Sequence, residues 1–211
     1  VAKVIPCGMA DGFKLTPGRL EAALTPATRW VMLNAPSNPS GAVYSAEEIA
    51  GLAEVLRRHP QVMILADEIY EHLSFVPFTR FADAAPDLKP RLLTVNGASK
   101  AWSMTGWRIG WGIGPAALVQ AMGAVQGQVT SGACSIAQAA AVAALAGDKA
   151  LIEERRTALR ARRDRVVAGL NAVPGVVCPS PDGAFYVFPD ITGAMAAKGF
   201  ATDAALCEWL L

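Results

Sequence analysis

The chain has 211 residues, 53% hydrophobic and 18% charged, which is ample material for a large core and excludes a disordered segment. Its formal net charge of +1 argues against a dedicated nucleic-acid or anionic-membrane surface. Cys7, Cys134, Cys178 and Cys207 are widely separated, and with two histidines (His59 and His72) they form no zinc-type spacing, so reduced thiols in a cytoplasmic setting are expected.

Val1 to Pro6 reads as the middle of a strand, and no basic-then-apolar leader is expected at this end. Thr16-Pro17 resembles a cap followed by proline at the first helical position, opening a helix to about Leu24. Trp30 to Leu33 is a buried-type strand, followed by the turn-rich run Asn34 to Gly41. Ser45 and Glu48 have capping-box spacing, so a helix should run to about Arg58. Val62 to Ala66 and Leu92 to Val95 are the next strands. Trp107 to Ile113 is read as strand, with Pro115 opening a helix. This alternation predicts an α/β fold, a mostly parallel sheet with helices on both faces.

Ile109 to Gly147 contains no charged side chain, yet it is too interrupted by Gly, Gln, Ser and Thr to be a membrane span. Buried helices and a subunit interface both explain it. Leu151 to Leu170 should form a long helix with Ile152, Leu159, Val166 and Leu170 on one stripe. Its arginines are interleaved with Glu153, Glu154 and Asp164, which reads as a solvated face rather than a nucleic-acid patch. The expected division is therefore residues 1–147 as part of a large domain, 148–173 as a connecting helix, and 174–211 as the beginning of a small α+β domain. Strands are expected near Val176 and over Ala184 to Phe188. Ala204 to Leu211 reads as an amphipathic helix that stops without a cap, so the sequence is expected to be a piece of a longer protein.

In an open parallel sheet, ligands gather beyond the carboxyl ends of the strands. Three segments leave strands at that edge carrying polar residues: Asn34 to Gly41, Asp67 to Tyr70, and Ser99-Lys100 to Arg108. An amine such as Lys100 can form a Schiff base with an aldehyde, and Arg108 can grip a phosphate. Asp67, directly after an apolar strand, needs a cationic or donor partner, which a protonated pyridine nitrogen would provide. Tyr70 and Asn38 could both bond a phenolate oxygen on the same ring. Singly, each residue has an ordinary structural explanation: a surface lysine, a helix cap, an Asn-Pro turn, an ion-paired arginine. Those explanations leave the shared strand-end placement unaccounted for. His72 is read as structural.

These parts describe a pyridoxal phosphate (PLP) site. The sequence resembles the fold-type I, class I/II aminotransferases, particularly their aspartate aminotransferase-like branch. The resemblance is carried by Asn34 to Gly41, Ala66 to Tyr70, Ser99-Lys100 through Met104 to Gly110, and Gly183 to Tyr186, in order across nearly the whole chain. It implies that Lys100 holds PLP as a Schiff base and is the catalytic proton carrier. It implies further that Asp67 bonds the pyridine nitrogen, Asn38 and Tyr70 bond the ring oxygen, and Arg108 holds the phosphate. The implied reaction moves the α-amino group of an L-amino acid, aspartate-like by resemblance, to a 2-oxo acid, in a homodimer and without nucleic acid or membrane. A PLP-dependent lyase or synthase, or a non-catalytic sensor module, would keep the same cofactor residues. One departure stands out: many relatives place a hydroxyl three residues before the lysine, where this chain has Gly97. The phosphate loop, the ring-stacking aromatic and the substrate-carboxylate arginine of the family fall outside this sequence, so the segment alone is expected to be inactive.

Overall fold

The computed structural model describes all residues, Val1–Leu211. Helix α1 (Pro17–Ala23) begins as its sequence predicts, with Thr16 Oγ1 accepting from Arg19 N–H and proline in the first turn. Strand β1 (Trp30–Asn34) leads through the Asn34 to Gly41 run into helix α2 (Ala46–Arg57). The capping box of α2 is complete: Ser45 Oγ accepts from Glu48 N–H, and Glu48 Oε2 accepts from Ser45 N–H. Strand β2 (Met63–Asp67) follows, then the short helix α3 (Phe81–Ala84) and strand β3 (Leu92–Gly97). Strand β4 (Gly110–Ile113) completes the sheet.

The strand order is β1-β2-β3-β4, with the first three parallel and β4 antiparallel to β3. The main core lies on one face of this sheet, where Val31, Ile64, Ala66 and Leu92 meet Ile49, Leu52 and Leu56 of α2 together with Phe81 and Leu88. Each of these side chains larger than Ala66 contributes roughly 2 kcal/mol on burial. The C-terminal end of α2 is closed by Arg91, whose guanidinium donates to the carbonyls of Leu56, His59 and Val62. Leu56 lies in the last turn of α2, and His59 and Val62 in the connection to β2, so Arg91 ties the helix end to the start of the next strand. On the opposite face, Met122 of helix α4 (Ala116–Thr130) reaches toward Gly112 and Leu93. Helices α5 (Ser135–Ala146), α6 (Ala150–Asn171), α7 (Thr192–Lys198) and α8 (Asp203–Leu210) follow.

Several expectations are corrected. Val1 to Pro6 has no strand structure. Strand β1 is not buried throughout, since Met32 is 72% exposed while its neighbour Val31 is buried. An edge strand alternates faces, and here only one of them is covered. Trp107 to Ile113 divides into a short 3-10 turn over Thr105–Trp107 and the four-residue β4. Of the late strands, only isolated bridges exist, Val177 with Asp190 and Ser74 with Gly183. The uncharged segment is largely exposed in this chain: only Ala137 and Ala141 of α5 are buried, and α4 buries none of its residues. On α6 the inward stripe passes through Val167 rather than Val166, which is exposed.

The α6 arginines are not all a solvated face. Arg155, Arg160 and Arg163 donate to the carbonyls of Ala101, Phe75 and Pro181, fastening the helix to the body of the molecule. Arg163 also stands over the Phe75 ring at 4.8 Å. No single helix is long and apolar enough to cross a membrane.

Candidate functional site

The sheet register brings the polar segments to one edge. Asn34 pairs with Asp67, Asp67 with Val95, and Gly97 with Gly110, so β1, β2 and β3 end together where β4 begins. Beyond these ends lie Asn38, Tyr70, Lys100 and Arg108. The turn after β1 is organised by Asn34: its Oδ1 accepts from Asn38 N–H at 2.8 Å, and its amide donates to the Asp67 carbonyl. Both Ala35-Pro36 and Asn38-Pro39 are cis. Gly41, in the left-handed region at φ 70°, closes this turn, and a Cβ there would lie 2.4 Å from Pro181. Gly183 is equally confined, since its Cβ would meet Pro36 at 2.8 Å. The loop after β1 and the segment Pro181 to Gly183 therefore pack backbone to backbone.

Asp67 Oδ1 accepts from Ile69 N–H at 3.2 Å, so the chain turns immediately beyond β2 and brings Tyr70 back under the edge. Tyr70 is only 3% exposed. Its phenol bonds the Tyr186 hydroxyl at 2.7 Å, and its ring packs edge-on against Phe185 and Tyr186. Burial pushes the Tyr70 phenol well above its ordinary value; Tyr186 and the Asp67 charge push the same way, and the Asn38 amide opposes them.

Lys100 is half-buried, and its Nζ lies 5.8 Å from the ring centres of both Tyr70 and Phe185 rather than against a carboxylate. The loop carrying it is closed by Ala98 N–H to the Ile109 carbonyl, by Met104 N–H to the Ala98 carbonyl, and by Thr105 Oγ1 to the Ser99 carbonyl. This closure returns Arg108 to the root of β4, in the left-handed region at φ 55°. Its guanidinium donates to the Thr105 carbonyl at 3.0 Å and is exposed, bonding its own loop rather than the other four side chains. A Cβ at Gly97 would come within 3.0 Å of the Ile109 carbonyl oxygen, so close pairing with β4 explains the glycine where a hydroxyl residue was expected.

Sequence reasoning missed three contributors. Glu68, not Asp67, is the buried carboxyl, at 4% exposure against a half-buried Asp67. One of its oxygens accepts from Phe81 N–H, and the other is buried without a partner. Burial, helped by nearby Glu71 and opposed by the Phe81 N–H, raises it to about 7. Glu71 accepts from the Asn96 amide and from Arg80, joining the turn after β2 to β3; nothing in the local pattern distinguishes it from a surface glutamate. Tyr186 enters the sequence reading only as the end of the Gly183 to Tyr186 run, because its bond to Tyr70 spans 116 positions.

The donor set fits PLP. It comprises an amine set against aromatic rings, a carboxylate at a strand end, a phenol with an amide beside it, and a guanidinium on the same edge. The carboxylate would answer a pyridinium, the phenol and amide a ring oxygen, and the guanidinium a phosphate.

The model of the family described as aminotransferase class I and II matches residues 1–211. An aspartate/prephenate aminotransferase of Cereibacter sphaeroides is 54% identical over 193 residues, 90% of this chain and 48% of that protein. An aspartate aminotransferase of Rhizobium meliloti is 51% identical, over 99% of this chain and 52% of its own length. Among solved structures, the aspartate aminotransferase from Rhizobium meliloti superposes with a TM-score of 0.87 at 53% identity, covering 89% of this chain and 47% of that one. The chain spans about half the length of the curated relatives it matches.

Proposed function

The chain belongs to the class I and II aminotransferase family, and on that premise we propose that it carries the lysine-bearing half of a PLP-dependent aminotransferase. The reaction moves the α-amino group of an L-amino acid, with an aspartate-like donor favoured by the names of its relatives, to a 2-oxo acid. The observation that carries this reading is the placement of the Lys100 amine over the Tyr70 ring, at an edge shared by Asn38, Asp67 and Arg108.

When bound, PLP supplies an electron sink for the charge left on the substrate α carbon after its proton is removed. Lys100 would hold PLP through its Nζ, and the same amine would be the base placed to take the proton from the substrate α carbon. The rings of Tyr70 and Phe185 flank that amine, each with its centre 5.8 Å from Nζ. Asp67 would face the pyridine nitrogen as its charge partner. Tyr70 and Asn38 would donate to the ring oxygen. Arg108 would hold the phosphate with a planar fork that lysine cannot reproduce.

Residues 1–147 belong, in this proposal, to the large cofactor domain, α6 connects, and residues 174–211 open the small domain. A homodimer is supported by the exposed apolar side chains of α4 and α5, and a cytoplasmic setting by four free thiols.

Absorbance spectroscopy of the full-length protein with PLP tests the assignment. The wild type should show a lysine-linked cofactor band that Lys100→Ala abolishes. An unchanged band in the variant sinks the reading. Stoichiometric conversion of amino acid to 2-oxo acid identifies transfer, whereas released ammonia or thiol would instead identify a lyase.

A further inference from the structure

Tyr186 is contributed by a segment far from the strand ends in sequence, yet it is held there by an anchored backbone. Phe75 N–H donates to the Asp182 carbonyl at 2.7 Å, and Ala184 N–H donates to the Leu73 carbonyl at 3.0 Å. Gly183 fits against Pro36 and Ser74 where no side chain would fit. Ala184 is fully buried and sits in the left-handed region at φ 60°, so the surrounding contacts hold this turn in an uncommon conformation. The consequence is that Phe185 and Tyr186 are delivered together over Tyr70, with Phe185 against Tyr186 at 4.7 Å between ring centres.

We propose that Tyr186 is a positioning residue that acts through Tyr70, donating its hydroxyl proton to the Tyr70 oxygen so that the single proton of Tyr70 stays directed at the cofactor's ring oxygen. A phenol has one proton to give and can accept others. With Tyr186 as donor, Tyr70 is oriented without its own proton being used; with the roles reversed, Tyr70 would have none left to offer. Asp67 and Lys100 are the charged groups facing this pair, and neither replaces the Tyr186 bond. The residue thus bears on how acidic the lysine–cofactor linkage is, without touching the reacting atoms. The inference rests on the aminotransferase reading above.

The test is a spectrophotometric pH titration of the lysine-linked band in the full-length, PLP-loaded protein, for Tyr186→Phe, Tyr70→Phe and the double variant. A weaker bond to the ring oxygen leaves the linkage more basic. Tyr186→Phe should therefore move the midpoint upward by about half a pH unit. Tyr70→Phe should move it further, and adding Tyr186→Phe to Tyr70→Phe should change nothing more. An unmoved midpoint in Tyr186→Phe overturns the inference alone. So does a shift that persists in the Tyr70→Phe background, because Tyr186 would then act directly. A wild type without a Lys100-dependent band would overturn the cofactor reading and this inference with it.

Discussion

Asp67 and Glu68 are neighbours with opposite circumstances, although both leave the same apolar strand. Asp67 ends β2 half-buried and accepts a backbone N–H from Ile69. Glu68 turns into the protein beside Phe81, where desolvation favours its protonated form. Its folded value of about 7 lies above the ordinary 4.5, so the stability it contributes is present in full below pH 4.5 and is lost as pH rises through 7. At about 1.4 kcal/mol per pKa unit, the loss approaches ~3 kcal/mol. Glu68→Gln keeps the shape without the ionisation. Urea unfolding should find the variant gaining on the wild type as pH goes from 5 to 8; parallel pH dependences would show that Glu68 does not titrate there.

Among the elements, α2 is the one whose local sequence and tertiary role agree most fully. Ser45 and Glu48 satisfy its first turn, and Ile49, Leu52 and Leu56 form one buried stripe. Ser45→Ala is expected to cost about 1 kcal/mol, read as a lower urea midpoint at unchanged slope. Helix α6 is the opposite case. Charge interleaving made its arginines look solvated, yet three of them bond carbonyls of distant loops. A long arginine side chain covers apolar surface and still reaches a carbonyl, which charge pattern alone does not reveal. The weak late strands failed for a related reason: Gly183 and Ala184 follow the backbone of Leu73 and Ser74 in an isolated bridge, without a ladder of their own.

For the whole molecule, the apolar surfaces of α4 and α5 matter most. Val125, Val129, Ile136 and Val142 are exposed on helices with no charged residue, a pattern that isolated soluble surfaces avoid. With the homodimer proposed above, Val125→Glu should weaken self-association of the full-length protein, as sedimentation velocity would register. A monomeric wild type would remove the dimer from the proposal.

The alternation of strands and helices was readable in the sequence because apolar periodicity and caps are local properties. So were the residue types at the strand ends: Asn38, Asp67, Tyr70 and Lys100 each follow an apolar run by a few positions, and Arg108 stands just before β4. Their convergence depends on register, which pairs Asn34 with Asp67 and Gly97 with Gly110 and is set by packing between strands. Only the tertiary structure could bury Glu68 instead of Asp67, turn the α6 arginines inward and bond Tyr186 to Tyr70. Each of those outcomes turns on what the folded chain places beside a group, and that neighbour lies between 13 and 116 positions away in sequence.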